Sequence, residues 1–203
     1  MDHFRDNKAH GHDAFLIKKL DTNSFLIAVF DGLSSGDGKF ASNLAAEKLK
    51  NAKNYHDIIS SLEETNRILS EKENSRTTAA VAFKEKDFLF VINVGDSPAY
   101  LIREDKILQL TVQDRISMIM ITNALGYKKS LRYHLKKIKL KKGDKLVLVT
   151  DGISDNLNEK EILEIVEEES SNKAISKLKL ILKSKKNNVG FKVDDMTAII
   201  RYF

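Results

Sequence analysis

With 203 residues, 42% of them hydrophobic, the chain is long and apolar enough to close one core, which excludes a disordered tail. It has no cysteine, which excludes a disulfide framework and a thiolate zinc site and fits a reducing compartment such as the cytoplasm. The net charge of +5 gathers as lysine in segments 128–145 and 173–186, with no interleaved aromatic residues, so a solvated basic face is expected and nucleic acid is not expected as a partner.

In chain order, residues 1–12 are polar, and neither a signal peptide nor a membrane span is expected there. Short apolar runs rich in β-branched and aromatic residues predict strands over 14–20 and 25–30. Ala41, Leu44, Ala45 and Leu49 then repeat at helical spacing, as do Tyr55, Ile58, Ile59, Leu62 and Leu69, which predicts a helix pair. Strands follow over 77–83, 88–94, 99–103 and 145–150. Ile162, Leu163 and Val166 mark a third helix, and Ala174, Ile175, Leu178, Ile181 and Leu182 a fourth, before a last strand over 197–203. Segregated runs of strands and helices argue for an α+β layered domain with antiparallel sheets rather than parallel βαβ units. One proline, nine glycines and no serine-rich or proline-rich linker leave no boundary, so residues 1–203 are expected to form a single domain.

Three apolar runs end in aspartate: Phe30-Asp31-Gly32, Val94-Gly95-Asp96 and Thr150-Asp151-Gly152. An aspartate at the mouth of a buried strand is held rigidly, and a following glycine lets the backbone approach a ligand. Asp-Gly is equally the commonest hairpin turn, so a single instance decides nothing. Asp13 directly before one strand and Asp194-Asp195 directly before another bring further carboxylates to comparable positions. Oxygen-only ligands suit hard cations such as magnesium or manganese.

Asp31-Gly32, Asn93-Val94-Gly95-Asp96-Ser97, Leu110-Thr111-Val112-Gln113-Asp114, Ala124-Leu125-Gly126, Thr150-Asp151-Gly152 and Asp194-Asp195-Met196-Thr197 resemble, in order, the motifs of the metal-dependent protein serine/threonine phosphatases, the PPM or PP2C-like family. The resemblance runs from about Lys8 to the carboxyl end. It implies a four-layer α-β-β-α sandwich, two antiparallel sheets flanked by helix pairs. It also implies a signalling hydrolase that cleaves phosphoserine or phosphothreonine with water activated at a binuclear Mn2+ or Mg2+ centre. Asp31 would bridge two metals, with the Gly32 carbonyl on one and Asp151 and Asp194 on the other. Asp13 would bind metal or its waters, and Asp96 would join Asp151 around a weaker third cation. Lys8 falls where the family has a phosphate-binding arginine, and Asp195 and His12 would stand behind the ligands.

The sequence also departs from the family pattern. His12-Asp13 replaces Glu-Asp, Lys8 lacks the bidentate fork of arginine, and Leu33 removes a histidine that animal members use as an acid. Only eight residues separate Asp114 from Asn123, too few for a flap subdomain, so the site is expected to be open, as in the compact bacterial or sporulation-type branch. The expected partner is a phosphorylated protein acted on by a monomer. Two alternatives remain: a pseudophosphatase that uses the fold to bind a partner, and a two-metal hydrolase of small phosphoesters. Thr77 and Thr78 resemble paired threonines of the family and are expected to serve packing.

Overall fold

A computed structural model of the protein describes residues 1–117 and 120–203. The first strands are β1 (Asp2–Asp6), β2 (Ala14–Lys19) and β3 (Phe25–Phe30), followed by helices α1 (Gly38–Leu49) and α2 (Tyr55–Glu71). The central strands are β4 (Ala79–Glu85), β5 (Phe88–Val94), β6 (Ala99–Arg103), β7 (Lys106–Gln109), β8 (Arg115–Ser117), β9 (Met120–Ile121), β10 (His134–Lys139) and β11 (Lys145–Val149). Helices α3 (Asp151–Ser154), α4 (Glu159–Val166) and α5 (Ser171–Lys185) precede β12 (Met196–Tyr202).

Among the described residues the strands form two five-stranded antiparallel sheets, ordered β10-β5-β4-β3-β2 and β1-β12-β11-β6-β7. The residues of β3 alternate between two cores. Phe25, Ile27 and Val29 meet Leu101, Leu146, Leu148 and Ile199 of the other sheet. Leu26, Ala28 and Phe30 meet Ala41, Ala45 and Leu49 of α1 and Ile58, Leu62 and Leu69 of α2. Because both faces are covered, the strand reads as an unbroken apolar run rather than an alternation. The second sheet is covered in the same way by α4 and α5, through Ile162, Ile165, Val166, Ala174, Ile175 and Leu178. The layers are therefore α-β-β-α, as expected.

The helix starts follow local chemistry. Asn54 Oδ1 accepts from the Asp57 amide at 3.0 Å to cap α2, and Asn158 and Glu161 form a reciprocal capping box on α4 at 3.0 and 2.9 Å. Five strands, β1, β7, β8, β9 and β10, lie in segments that the sequence reading left without structure. Strand β1 pairs with β12 at the sheet edge, where only Phe4 turns toward the core, so its polarity hid it. Strand β10 pairs with β5 and carries part of the lysine run, and lysine on an edge discourages further strand pairing.

In the stretch read as too short for a flap, β8 and β9 pair as a small ribbon, and Met118 and Ile119 lie outside the described residues. Among the described residues no helix is long and apolar enough to cross a membrane.

Candidate metal centre

The end of β3 is fixed by the two threonines at the start of β4. The Asp31 carbonyl accepts from the Thr78 amide and the Thr77 hydroxyl, each at 2.8 Å, and the Asp31 amide donates to Thr78 Oγ1 at 3.1 Å. The Thr78 and Ser97 hydroxyls meet at 2.6 Å, which ties this strand end to the loop holding Asp96. Thr77 and Thr78 thus do more than pack: they set the position of Asp31.

Neither Asp-Gly pair forms a hairpin turn. A Cβ on Gly32 would stand 2.2 Å from the Gly38 carbonyl oxygen and 2.8 Å from that of His12. A Cβ on Gly152 would stand 2.1 Å from the Asp195 carbonyl oxygen. Close backbone approach therefore explains both glycines, and it sets the Asp31 segment against the His12-Asp13 loop and the Asp151 segment against Asp194-Asp195.

Asp13 joins the two sheets. Its Oδ2 accepts from the Thr150 hydroxyl at 2.8 Å and the Thr197 hydroxyl at 2.7 Å, both at strand ends of the opposite sheet, while its Oδ1 is buried without a hydrogen-bond partner. Asp195 reaches the site only through the preceding loop. Its two oxygens accept from the amides of Ala9, His10 and His12 at 3.2, 3.0 and 2.6 Å. Burial opposes ionisation of Asp195, but these amides hold its carboxyl below the usual range. Asp114 anchors the Gly95-Asp96 loop, accepting from the Gly95 amide, Asn123 and Arg132 and contacting His134.

A cleft of about 430 Å3 is lined by Asp31, Gly32, Asp151 and Asp194, with His10, Arg76, Tyr127, Met120, Ile121 and Lys192 around them. Met120 and Ile121 of the ribbon form part of its wall, so the site is less bare than the short stretch implied. Two larger hollows, of about 510 and 630 Å3, lie elsewhere and contain none of these carboxylates.

The cluster carries excess negative charge. Burial, then repulsion from Asp151 and Asp13, pushes the Asp31 carboxyl well up. Burial is also the main cause for Asp13, pushed up to about 7, and for Asp96, pushed up to about 6 with Asp151 adding repulsion. Both oxygens of Asp96 and Oδ1 of Asp151 are buried without partners, as is His12 Nδ1.

Two side-chain cations answer part of this charge. Lys192 Nζ contacts Asp151 Oδ2, Asp194 Oδ2 at 3.1 Å and Asp155 Oδ2 at 3.3 Å. Arg115 lies 2.8 Å from Asp155 Oδ1 and 3.7 Å from Asp96 Oδ2. Burial alone would lower the Lys192 pKa, but attraction to Asp151 and Asp194 raises it above the usual lysine range.

Orphaned carboxylate oxygens in an all-oxygen donor set fit a hard divalent cation. Among the described residues, however, no three histidine or acidic side chains stand ready as a coordination shell. Asp151 and Asp194 instead close on the Lys192 ammonium.

Of the residues singled out in the sequence, Asp31, Gly32, Asp151 and Asp194 share the cleft, and Asp13 and Asp96 are buried close enough to feel their charge. Lys8 is exposed and does not line the cleft. Sequence reasoning missed His10, Arg76, Arg115, Asp155 and Lys192. Only Asp155 left a signal, its spacing of four from Asp151 on a helical turn.

The protein phosphatase 2C family profile matches residues 2–183. A probable protein phosphatase 2C 62 from Arabidopsis thaliana is 33% identical over 99 residues, 47% of this chain, and the chain spans only 13% of that relative's length. The serine/threonine phosphatase Stp1 from Staphylococcus aureus has a similar fold, with a TM-score of 0.84 at 22% identity over 100% of this chain and 94% of that one. The PPM Ser-Thr phosphatase MsPP from Mycobacterium smegmatis, solved with cacodylate, gives 0.82 at 20% identity over 100% and 97%. Matching layers, matching ordered motifs and a profile covering most of the residues agree, and the chain belongs to the protein phosphatase 2C family.

Proposed function

We propose that the chain is a metal-dependent protein phosphatase acting on phosphoserine and phosphothreonine. The observation that carries this reading is the convergence of Asp31, Asp151 and Asp194, from separate strand ends, on one cleft whose carboxylates lack sufficient counter-charge. On this reading Asp31, the Gly32 carbonyl, Asp151 and Asp194 hold two Mn2+ or Mg2+ ions, with Asp13 behind them and Asp96 toward a weaker third. Bound there, such ions supply Lewis-acid polarisation of a phosphoryl group and activation of water. The threonine bonds to the Asp31 backbone keep that strand end rigid, which favours a fixed geometry during reaction.

Lys8 stands at the family's phosphate-binding position, but Arg76 is better placed in this chain. It lines the cleft beside the Tyr127 ring, 5.0 Å from its centroid, and its planar fork suits a phosphate. The mycobacterial protein of similar fold was solved in complex with cacodylate, a tetrahedral anion, which supports anion binding by the fold. We assign the activity to one domain over residues 1–203, working as a monomer in the cytoplasm on a phosphorylated protein.

The test is hydrolysis of a phosphopeptide and of p-nitrophenyl phosphate by pure protein with Mn2+ and with chelator. Turnover that needs Mn2+, and that falls by about 100-fold or more in Asp151→Asn, is expected. Activity indifferent to chelator would reject the assignment. A second reading, a partner-binding pseudophosphatase, is favoured by Lys192 standing between Asp151 and Asp194. Calorimetric titration with Mn2+ separates the two, because a pure binding module takes up no metal.

A further inference from the structure

The position of Lys192 is built rather than incidental. Its amide donates to Asn156 Oδ1 at 2.8 Å, and Asn156 Nδ2 donates to the Lys192 carbonyl at 2.9 Å and the Gly152 carbonyl at 2.7 Å. Asn156 is buried, so the backbone of Lys192 is clamped to the short helix that begins at Asp151. From that clamp the ammonium reaches Asp151, Asp155 and Asp194 together.

The consequences differ for the two candidate ligands. Each oxygen of Asp194 is already engaged, Oδ1 accepting a hydrogen bond from the Asp195 amide at 2.8 Å and Oδ2 paired with the Lys192 ammonium at 3.1 Å. Asp151 gives Oδ2 to Lys192 but keeps Oδ1 buried without a hydrogen-bond partner. A cation held through Asp151 Oδ1 would leave Lys192 in place. One that draws on Asp194 Oδ2 would have to displace the ammonium from that oxygen.

We infer that Lys192 is a tethered competitor for divalent metal, which pairs with Asp151 and Asp194 and must swing out before a cation takes the oxygens it holds. The inference rests on the phosphatase reading of the site. It makes the metal steps unequal and ties loading of the second to movement of one side chain. Arg115 adds to the arrangement by standing beside Asp96 and Asp155, so that a second side-chain cation offsets part of the acid charge there.

The experiment is calorimetric titration of the full chain with MnCl2, wild type against Lys192→Met, which keeps the stem and removes the charge. The weaker Mn2+ step is expected to tighten by at least about tenfold, since a like charge a few ångströms from the incoming ion is gone. In chelator the variant should melt at a lower temperature than wild type, and Mn2+ should reverse the order. Equal or weaker Mn2+ binding by a folded variant overturns the inference and leaves the phosphatase reading intact. Binding by neither protein overturns both. Should the variant fail to fold, wild type still decides. Mn2+ is expected to raise labelling of the Lys192 amine by reductive methylation, read by mass spectrometry, and unchanged labelling rejects a competing role.

Discussion

Asp13 and Asp195 are both buried acids near the cluster, yet they respond to pH in opposite directions. Asp195 has three amide donors, so its carboxyl is held low, and its contribution to stability is present above its unfolded pKa and lost as pH falls through its folded value. Asp13 has a raised carboxyl, at about 7, because burial outweighs its two hydroxyl donors. The folded metal-free chain therefore keeps a proton there that the unfolded chain releases, and stability falls as pH rises from about 4 toward 7. Melting in chelator is expected to show lower stability at pH 8 than at pH 5, with Asp13→Asn flattening that slope by an amount on the order of a few kcal/mol. A slope equal to wild type in the variant would assign the effect to other acids. The ligand candidates themselves were legible because aspartate at the end of an apolar run is conspicuous. Lys192 was not, because its path depends on a bond to Asn156, 36 residues away.

Among the elements, the helices and inner strands were readable because burial imposes a period on their sequences. Helix α2 places Ile58, Leu62 and Leu69 on one buried face, and β3 is apolar throughout. Edge strands carry a weaker imprint: β1 and β10 bury little, and their polar residues mimic loop. The four-residue α3 is too short for any period, and its place is set by contact instead. Gly152 inside it packs against the Asp195 carbonyl, so Gly152→Ala is expected to cost about 2–4 kcal/mol by pushing the Asp151 and Asp194 segments apart. Urea unfolding would measure the loss, and the same variant should bind Mn2+ less tightly. A fully stable alanine variant would mean that the close approach is readily relaxed.

At the scale of the molecule, the site sits where two sheets end together, so its geometry depends on the core between them. Leu148 belongs to that core and faces residues of both sheets. Leu148→Ala is expected to lose about 2–5 kcal/mol, with a lower urea midpoint and an unchanged slope. A change in slope instead would indicate that the sheets separate before the chain unfolds. Layer order was legible from the succession of strand and helix runs, whereas sheet order was not, since pairing of β1 with β12 joins elements nearly the whole chain apart.

The bonds from Asp13 to Thr150 and Thr197 have a consequence for biosynthesis. A carboxylate contributed early in translation finds its hydroxyl partners only after β11 and within β12, 137 and 184 positions later. No growing polypeptide short of β12 can make both bonds, so this corner of the acidic pocket closes only once synthesis has passed that strand.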